Sequence, residues 1–172
     1  MLKKYDMDIW GRAGIISNKH HAFVIASGKR LIKYDLQTGR SVKILEIKEA
    51  AGKELFEVDG LELNEKETML YGFTVESVYL VNMGTFQIIK RVDIQIPDHY
   101  GEWELRSICP IKHDLLLLQV QIIGGDNLVF LYDTETAFME FVHKEDTEHK
   151  IWLHKKKRHS DHQEQMVQAK VR

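Results

Sequence analysis

The chain has one cysteine and two prolines in 172 residues. A single thiol, Cys109, excludes an internal disulfide and fits a reducing compartment. Its flanks, Ser107-Ile108 and Pro110-Ile111, read as a buried strand with the thiol as a small inert core group. Long apolar runs are missing too. None exceeds five residues, and Leu115-Leu116-Leu117-Leu118, like the others, is far too short to cross a bilayer as a helix. Met1-Leu2-Lys3-Lys4-Tyr5-Asp6 has no apolar core of the kind a secretory signal needs. The expectation is a soluble intracellular protein, cytoplasmic or nuclear, with no membrane partner. Catalytic signatures are also absent: there is no G-x-S-x-G elbow, no phosphate-binding glycine loop and no H-E-x-x-H pair. Neither an enzyme nor a cofactor is expected.

Charge narrows the partners further. The net charge is −2, and no basic stripe with interleaved aromatics runs through the chain, so nucleic acid is not an expected partner. The imbalance is local. Residues 150–172 carry seven basic side chains against two acidic ones.

What the chain does have is repetition. Lys33-Tyr34-Asp35-Leu36-Gln37-Thr38-Gly39-Arg40 recurs as Val81-Asn82-Met83-Gly84-Thr85-Phe86-Gln87 and as Leu131-Tyr132-Asp133-Thr134-Glu135-Thr136-Ala137. Asp35 and Asn82 are 47 residues apart, and Asn82 and Asp133 are 51 apart. A period of roughly 40–50 residues is that of propeller blades. Short apolar, β-branched and aromatic runs flank each copy and define a four-strand unit. The first unit predicts strands at 13–16, 23–26, 30–34 and 42–46. The second predicts 58–63, 69–73, 77–81 and 88–93, and the third 104–109, 115–120, 128–132 and 138–142.

The turns have readable chemistry. Asp35 can accept backbone N–H bonds from residues further along the turn, and Gly39 supplies the left-handed residue of a bulged hairpin. Asn82 substitutes for the aspartate. Ala137 stands where Gly39 does, and a left-handed alanine costs on the order of 1 kcal/mol, which predicts a rearranged third turn. Ser27-Gly28 and Gly124-Gly125-Asp126-Asn127 are tight turns, whereas Thr74-Val75-Glu76-Ser77 is a poor turn sequence at the same place. Residues 48–56 are read as a loop with a short helical turn.

The order of apolar run, turn, apolar run, Tyr-Asp-x-x-Thr-Gly and apolar run resembles the WD-repeat-like propellers across nearly all of 9–146. The Trp-Asp dipeptide of that family is replaced by Tyr34-Asp35, Val81-Asn82 and Tyr132-Asp133, and no Gly-His pair lies upstream. The resemblance implies degenerate blades held by apolar packing. The predicted architecture is all-β, a partial β-propeller over 1–148 with blades at about 9–47, 56–94 and 103–146. A basic tail, helical or disordered, follows at 149–172. Asp35 to Gly39 is also superficially similar to quinoprotein dehydrogenase blades, whose motif ends in a docking tryptophan four residues past the glycine. Lys43 occupies that position.

Propellers of the family close with about four to eight blades, so three leave two sheet faces to be covered. The expectation is a fragment of a larger multidomain protein, completed by further blades or by self-association. The function implied is a non-catalytic protein-interaction scaffold. The rivals are a piece of a propeller enzyme whose catalytic residues lie in other blades, and a truncated product without function.

Candidate contacts fall on the rim that the family uses for binding. His99, Tyr100 and Trp103, within Pro97-Asp98-His99-Tyr100-Gly101-Glu102-Trp103, combine as interface anchors, or else pin the loop to the next blade. Lys29 and Arg30 offer a cationic turn. Lys155-Lys156-Lys157-Arg158 has the composition of a basic import signal. The nine histidines show no zinc spacing beyond His159-Ser160-Asp161-His162, and no metal site is expected. On the innermost strands Arg12, Asp59, Glu62, Glu104 and Arg106 are the charged residues, expected to be scattered.

Overall fold

A computed structural model describes residues 11–48, 57–112 and 114–145. They form twelve strands in three four-stranded antiparallel sheets, each ordered as in the sequence. Blade 1 is β1 Ala13–Ser17, β2 Ala22–Ser27, β3 Arg30–Asp35 and β4 Ser41–Glu46. Blade 2 is β5 Gly60–Leu63, β6 Met69–Phe73, β7 Ser77–Asn82 and β8 Gln87–Asp93. A short 3-10 turn, Asp98–Tyr100, leads to blade 3: β9 Trp103–Pro110, β10 Leu115–Ile122, β11 Asn127–Asp133 and β12 Met139–Glu145. The first strands are neighbours in space, β1 against β5 and β5 against β9, so the blades fan out from a common axis. The three strand sets match those read from the repeat to within a few residues. The helical turn expected at 48–56 and the basic tail lie outside the described residues.

Two apolar clusters hold the fan together, one in each gap between blades. Val24, Ala26 and Leu31 of blade 1 meet Leu61, Leu70, Tyr79, Val81 and Met83 of blade 2. On the other side of blade 2, Tyr71, Phe73, Val78, Leu80 and Val92 meet Leu105, Ile108, Leu116, Leu118, Phe130 and Tyr132 of blade 3. Successive residues of one strand point to opposite faces. Blade 2 lies between two neighbours, so all five residues of β6 are buried. Each side chain of this size that leaves water contributes about 1.5–3 kcal/mol. Burial also pushes the Tyr71 phenol up to about 12, with a further push from the charge of Asp114. Close approach has a steric requirement at Gly60, where an added Cβ would stand 2.2 Å from the Phe73 ring.

The three hairpins that end β3, β7 and β11 are built alike. Asp35 Oδ1 accepts from the Thr38 N–H at 2.7 Å, Asn82 Oδ1 from Thr85 at 2.9 Å, and Asp133 Oδ1 from Thr136 at 2.9 Å. The fourth residue after each is left-handed: Gly39 at φ 71°, Phe86 at 54° and Ala137 at 56°. The rearrangement expected of the third turn does not occur. Its closing bond, Asp133 N–H to the Phe138 carbonyl at 2.9 Å, copies Asp35 to Arg40 at 3.0 Å. Three donors on one carboxylate turn outweigh the strain of one alanine. The Thr74–Ser77 turn has its own device, since Thr74 Oγ1 accepts from the Ser77 N–H at 3.1 Å. This threonine turn takes the place of glycine.

Polar latches tie the lower rim of one blade to the next. Lys43, eight residues past Asp35, donates to the Thr85 carbonyl at 2.6 Å. Lys90, eight past Asn82, donates to the Thr134 carbonyl. Lys33 adds a bond to the Met83 carbonyl at 2.9 Å, and its ammonium lies 5.6 Å from the Phe86 ring centre. Desolvation first, then Lys43, holds the Lys33 ammonium below its usual value. Glu67, itself left-handed at φ 52°, reaches back to the buried Ser17 hydroxyl and the Lys19 N–H, each at 2.8 Å. Partial burial opposes the Glu67 charge, but the Lys19 and Ser17 donors, with His20 and Asn18, hold the carboxyl below the usual carboxylate range.

Two outcomes follow for stability. Ala137→Gly relieves a left-handed side chain that is exposed, so denaturant unfolding should show a gain of about 0.5–1 kcal/mol; a loss would mean that the turn is not strained. Glu67 has a depressed folded pKa, so its contribution is complete above its ordinary value of 4.5 and disappears as pH falls through the folded one. Denaturant midpoints between neutral and acid pH should therefore fall more steeply for the native chain than for Glu67→Gln, and equal slopes would refute the latch.

Candidate functional site

The first residues of the inner strands meet at the axis. Arg12 precedes β1, Asp59 precedes β5, and Glu104 and Arg106 lie at the start of β9. With Glu57, Val75 and Leu105 they line one cavity of about 440 Å³. Four of the five inner-strand charges expected to be scattered thus converge, because equivalent positions of radially arranged strands share one end of the axis. Glu62, half-buried in β5, is not among the lining residues. Glu57 lies in an inter-blade connection and not on a strand, so the strand pattern did not single it out.

Within the cavity the charges pair. Arg12 Nε lies 2.8 Å from a Glu57 oxygen and Arg12 Nη1 lies 2.7 Å from Asp59 Oδ1. The Asp59 hydrogen bond first, then the charge of Glu57, raises the Arg12 guanidinium above its usual value. Arg106 Nη2 lies 2.8 Å from Glu104, and its Nε donates to Gln121 at 2.7 Å. The two arginines face water, with 60% and 52% of their side-chain surface exposed. Exposed pairs of this kind contribute about 0–1 kcal/mol, so they cost little to exchange for pairs with a partner. Chemically the cavity offers two guanidinium forks and three carboxylates.

The other rim residues are not among those that line it. Tyr100 and Trp103 are half-buried and packed against the core between blades 2 and 3, and Tyr100 meets Phe130 edge-on at 5.7 Å. His99 is exposed and stacks on Tyr100 at 4.2 Å between ring centres. Lys29 and Arg30 form the exposed tip of the β2–β3 turn, where Arg30 lies 3.7 Å from Glu46. Cys109 is half-buried in β9 and not in the core itself. Among the described residues no group of three or more His, Cys, Asp or Glu could hold a metal ion. Likewise, no helix there is long and apolar enough to cross a membrane. The basic run at 155–158 and the histidines at 159 and 162 fall outside the described residues.

The exposure of the arginine pairs makes a stability prediction. Arg12→Met and Arg106→Met, singly or together, should leave the denaturant midpoint essentially unchanged, because water screens both pairs. A clear loss in denaturant titrations would mark the cluster as a structural brace and not a binding surface.

No protein-family model matches the chain, and no curated protein matches it. Solved structures do. The WD40 repeats of RRP9 superpose at a TM-score of 0.54 with 8% identity, covering 80% of this chain and 39% of that one. Saccharomyces cerevisiae Sqt1 gives 0.55 with 10% identity, over 75% of this chain and 34% of that one. The propeller domain of Myceliophteria thermophila Cps50 (Swd1) gives 0.54 with 12% identity, over 82% and 41%. A europium-containing methanol dehydrogenase also superposes, at 0.52 and 12% identity, over 74% of this chain and 24% of that one. The chain therefore spans less than half the length of each of these structures. Identity this low carries the fold and not the activity. Three ordered four-stranded sheets around one axis, together with these superpositions, give the described residues the fold of three β-propeller blades, similar to those of the WD40 propellers.

Proposed function

We propose that the chain is a non-catalytic protein-interaction module and part of a larger propeller. The observation that carries this reading is the axial mouth. Side chains from three blades converge there, and each guanidinium is held by a carboxylate in water-exposed pairs that a partner can replace. Rigid sheets fix the spacing of these charges, so a partner meets a preorganised pattern and loses little freedom in forming it. The described lining is three carboxylates, two guanidiniums and two apolar side chains. Its carboxylates are engaged by the arginines, an arrangement suited to recognition more than to a nucleophile with its base. His99, Lys29 and Arg30 extend the same surface outward. Partners are proteins whose own charged side chains can enter the mouth. The likeness to a methanol dehydrogenase extends to fold, and the reading as a piece of a propeller enzyme gains no residue from it.

The full chain as an affinity bait tests this. Proteins retained by the native chain should be lost when Arg12 and Arg106 are both replaced by Glu, with circular dichroism showing the fold intact. Equal retention by both baits would end the proposal. So would turnover in the purified chain that these substitutions abolish.

A further inference from the structure

The ion pairs at the axial mouth engage only one oxygen of each carboxylate. Arg12 meets Glu57 Oε2 and Asp59 Oδ1, and Arg106 meets Glu104 Oε2. The lining holds three carboxylates and two guanidiniums, so one negative charge is in excess. The excess grows on the surrounding rim. Glu76 lies in the β6–β7 turn beside Val75, and Asp98 and Glu102 lie in the connection that leads to β9. Among the described residues no cation forms an ion pair with these three. Lys29 and Arg30 lie on blade 1, so the negative sector is that of blades 2 and 3. Val75 and Leu105 give the cavity two apolar walls. Such a site suits a long cationic side chain, with its methylenes on the apolar pair and its head at the second oxygen of a carboxylate.

The chain holds such side chains itself, and β12 leads them to this rim. Across blade 3, Glu145 at the end of β12 pairs with Asn127, Asn127 with Gln121, and Gln121 with Glu104 at the mouth. Three inter-strand steps of about 4.8 Å put the end of β12 about 14 Å from Glu104. Lys155 follows Glu145 by ten residues, a length of chain that can span up to about 33 Å. The run Lys155-Lys156-Lys157-Arg158 is therefore within reach of the mouth. Its charge is complementary as well. Residues 150–172 carry seven basic side chains against two acidic ones in a chain of net charge −2, so the rest of the chain is acidic. A tether this short gives the run an effective concentration on the order of millimolar at the mouth, far above that of a separate protein.

We infer that Lys155-Lys156-Lys157-Arg158 folds back onto the axial mouth of its own blades and occupies it until a partner displaces it. The contact is with Glu57, Asp59 and Glu104, and the tail thereby acts as an intramolecular competitor. This inference rests on the reading of the mouth as the binding surface, and it adds what regulates access to it. Arginines 12 and 106 limit the strength of the contact, because each already neutralises part of the charge that the tail would meet.

The test uses the purified full chain and no partner, so it stands whatever the affinity baits retain. Zero-length carbodiimide coupling at low salt should join Lys155, Lys156 or Lys157 to Glu57, Asp59 or Glu104, as read by mass spectrometry of the digest. The yield should be independent of protein concentration and should fall several-fold in about 0.5 M NaCl. Coupling spread over carboxylates away from the mouth would overturn the inference. A yield that rises with concentration would do the same, by placing the contact between two copies. In a second arm, a fluorescent peptide of residues 150–162 is added to the native chain and to a variant with Lys155→Gln, Lys156→Gln, Lys157→Gln and Arg158→Gln. The variant should bind the peptide at least tenfold more tightly, because its own tail no longer competes. Adding Glu57→Gln and Glu104→Gln should remove that binding while the circular dichroism spectrum stays unchanged. Equal affinity for the native chain and the tail variant would refute the occupancy, and binding that survives the two glutamate substitutions would refute the mouth as its place.

Discussion

A four-stranded sheet with apolar residues on both faces cannot bury them by itself, and every other feature of this protein depends on the neighbour that covers each face. Blade 2 has two neighbours and is the best-buried element of the chain, with Leu70, Tyr71, Val78 and Val81 fully enclosed. The outer blades have one each, and of the eight large exposed apolar side chains among the described residues all but Ile89, in the outermost strand of blade 2, belong to them. Packing against apolar area is non-directional. By itself it would leave adjacent blades able to slide or rotate, so it does not set the angle between them.

The lower-rim latches supply the missing direction. An ammonium from one outer hairpin must reach a carbonyl in the next turn, and Glu67 must reach Ser17 and Lys19, so each junction has a polar register as well as an apolar area. These bonds need turns of fixed shape, which explains why left-handed backbone is tolerated at Glu67, Phe86 and Ala137. The strain is local and the return is alignment of whole sheets. Lys43 illustrates the economy. It stands at the position where a related motif places a docking tryptophan, and it also docks the blade, by charge and hydrogen bonding in place of ring area.

The fold was legible in the sequence because its signals are local and repeated. Asp35, Asn82 and Asp133 mark equivalent hairpins, and period-two runs of Val, Ile, Leu and aromatics flank them. The Ala137 turn was misread because propensity at one residue was weighed without the Asp133 carboxylate bonds that offset it. Thr74 was missed because a threonine turn has no strong composition. The junction lysines were invisible for a different reason: a lysine in an outer strand reads as a solvated residue, and only the radial arrangement shows what lies within reach of its ammonium.

The same limit applies to the site. Arg12, Asp59, Glu104 and Arg106 are each unremarkable in sequence and lie at β1, β5 and β9, up to eight strands apart along the chain, so no spacing rule links them. They meet because equivalent ends of inner strands converge on one axis, a property of the arrangement and not of any segment. The outer faces work in the opposite way. Their character depends on single strands: the bulge of blade 3 lies two residues further from its turn, so that Glu140 in place of Phe141 pairs with Leu131, while His143 pairs with Val129 in the register that Leu45 and Val92 keep in blades 1 and 2. A ring of near-equivalent blades needs some such break in equivalence to define its order, because identical junction faces would let any blade pack on any other. At the latch position the difference is one of charge: Lys43 and Lys90 donate to carbonyls in the turn of the next blade, whereas the Glu140 carboxylate has no proton to donate there.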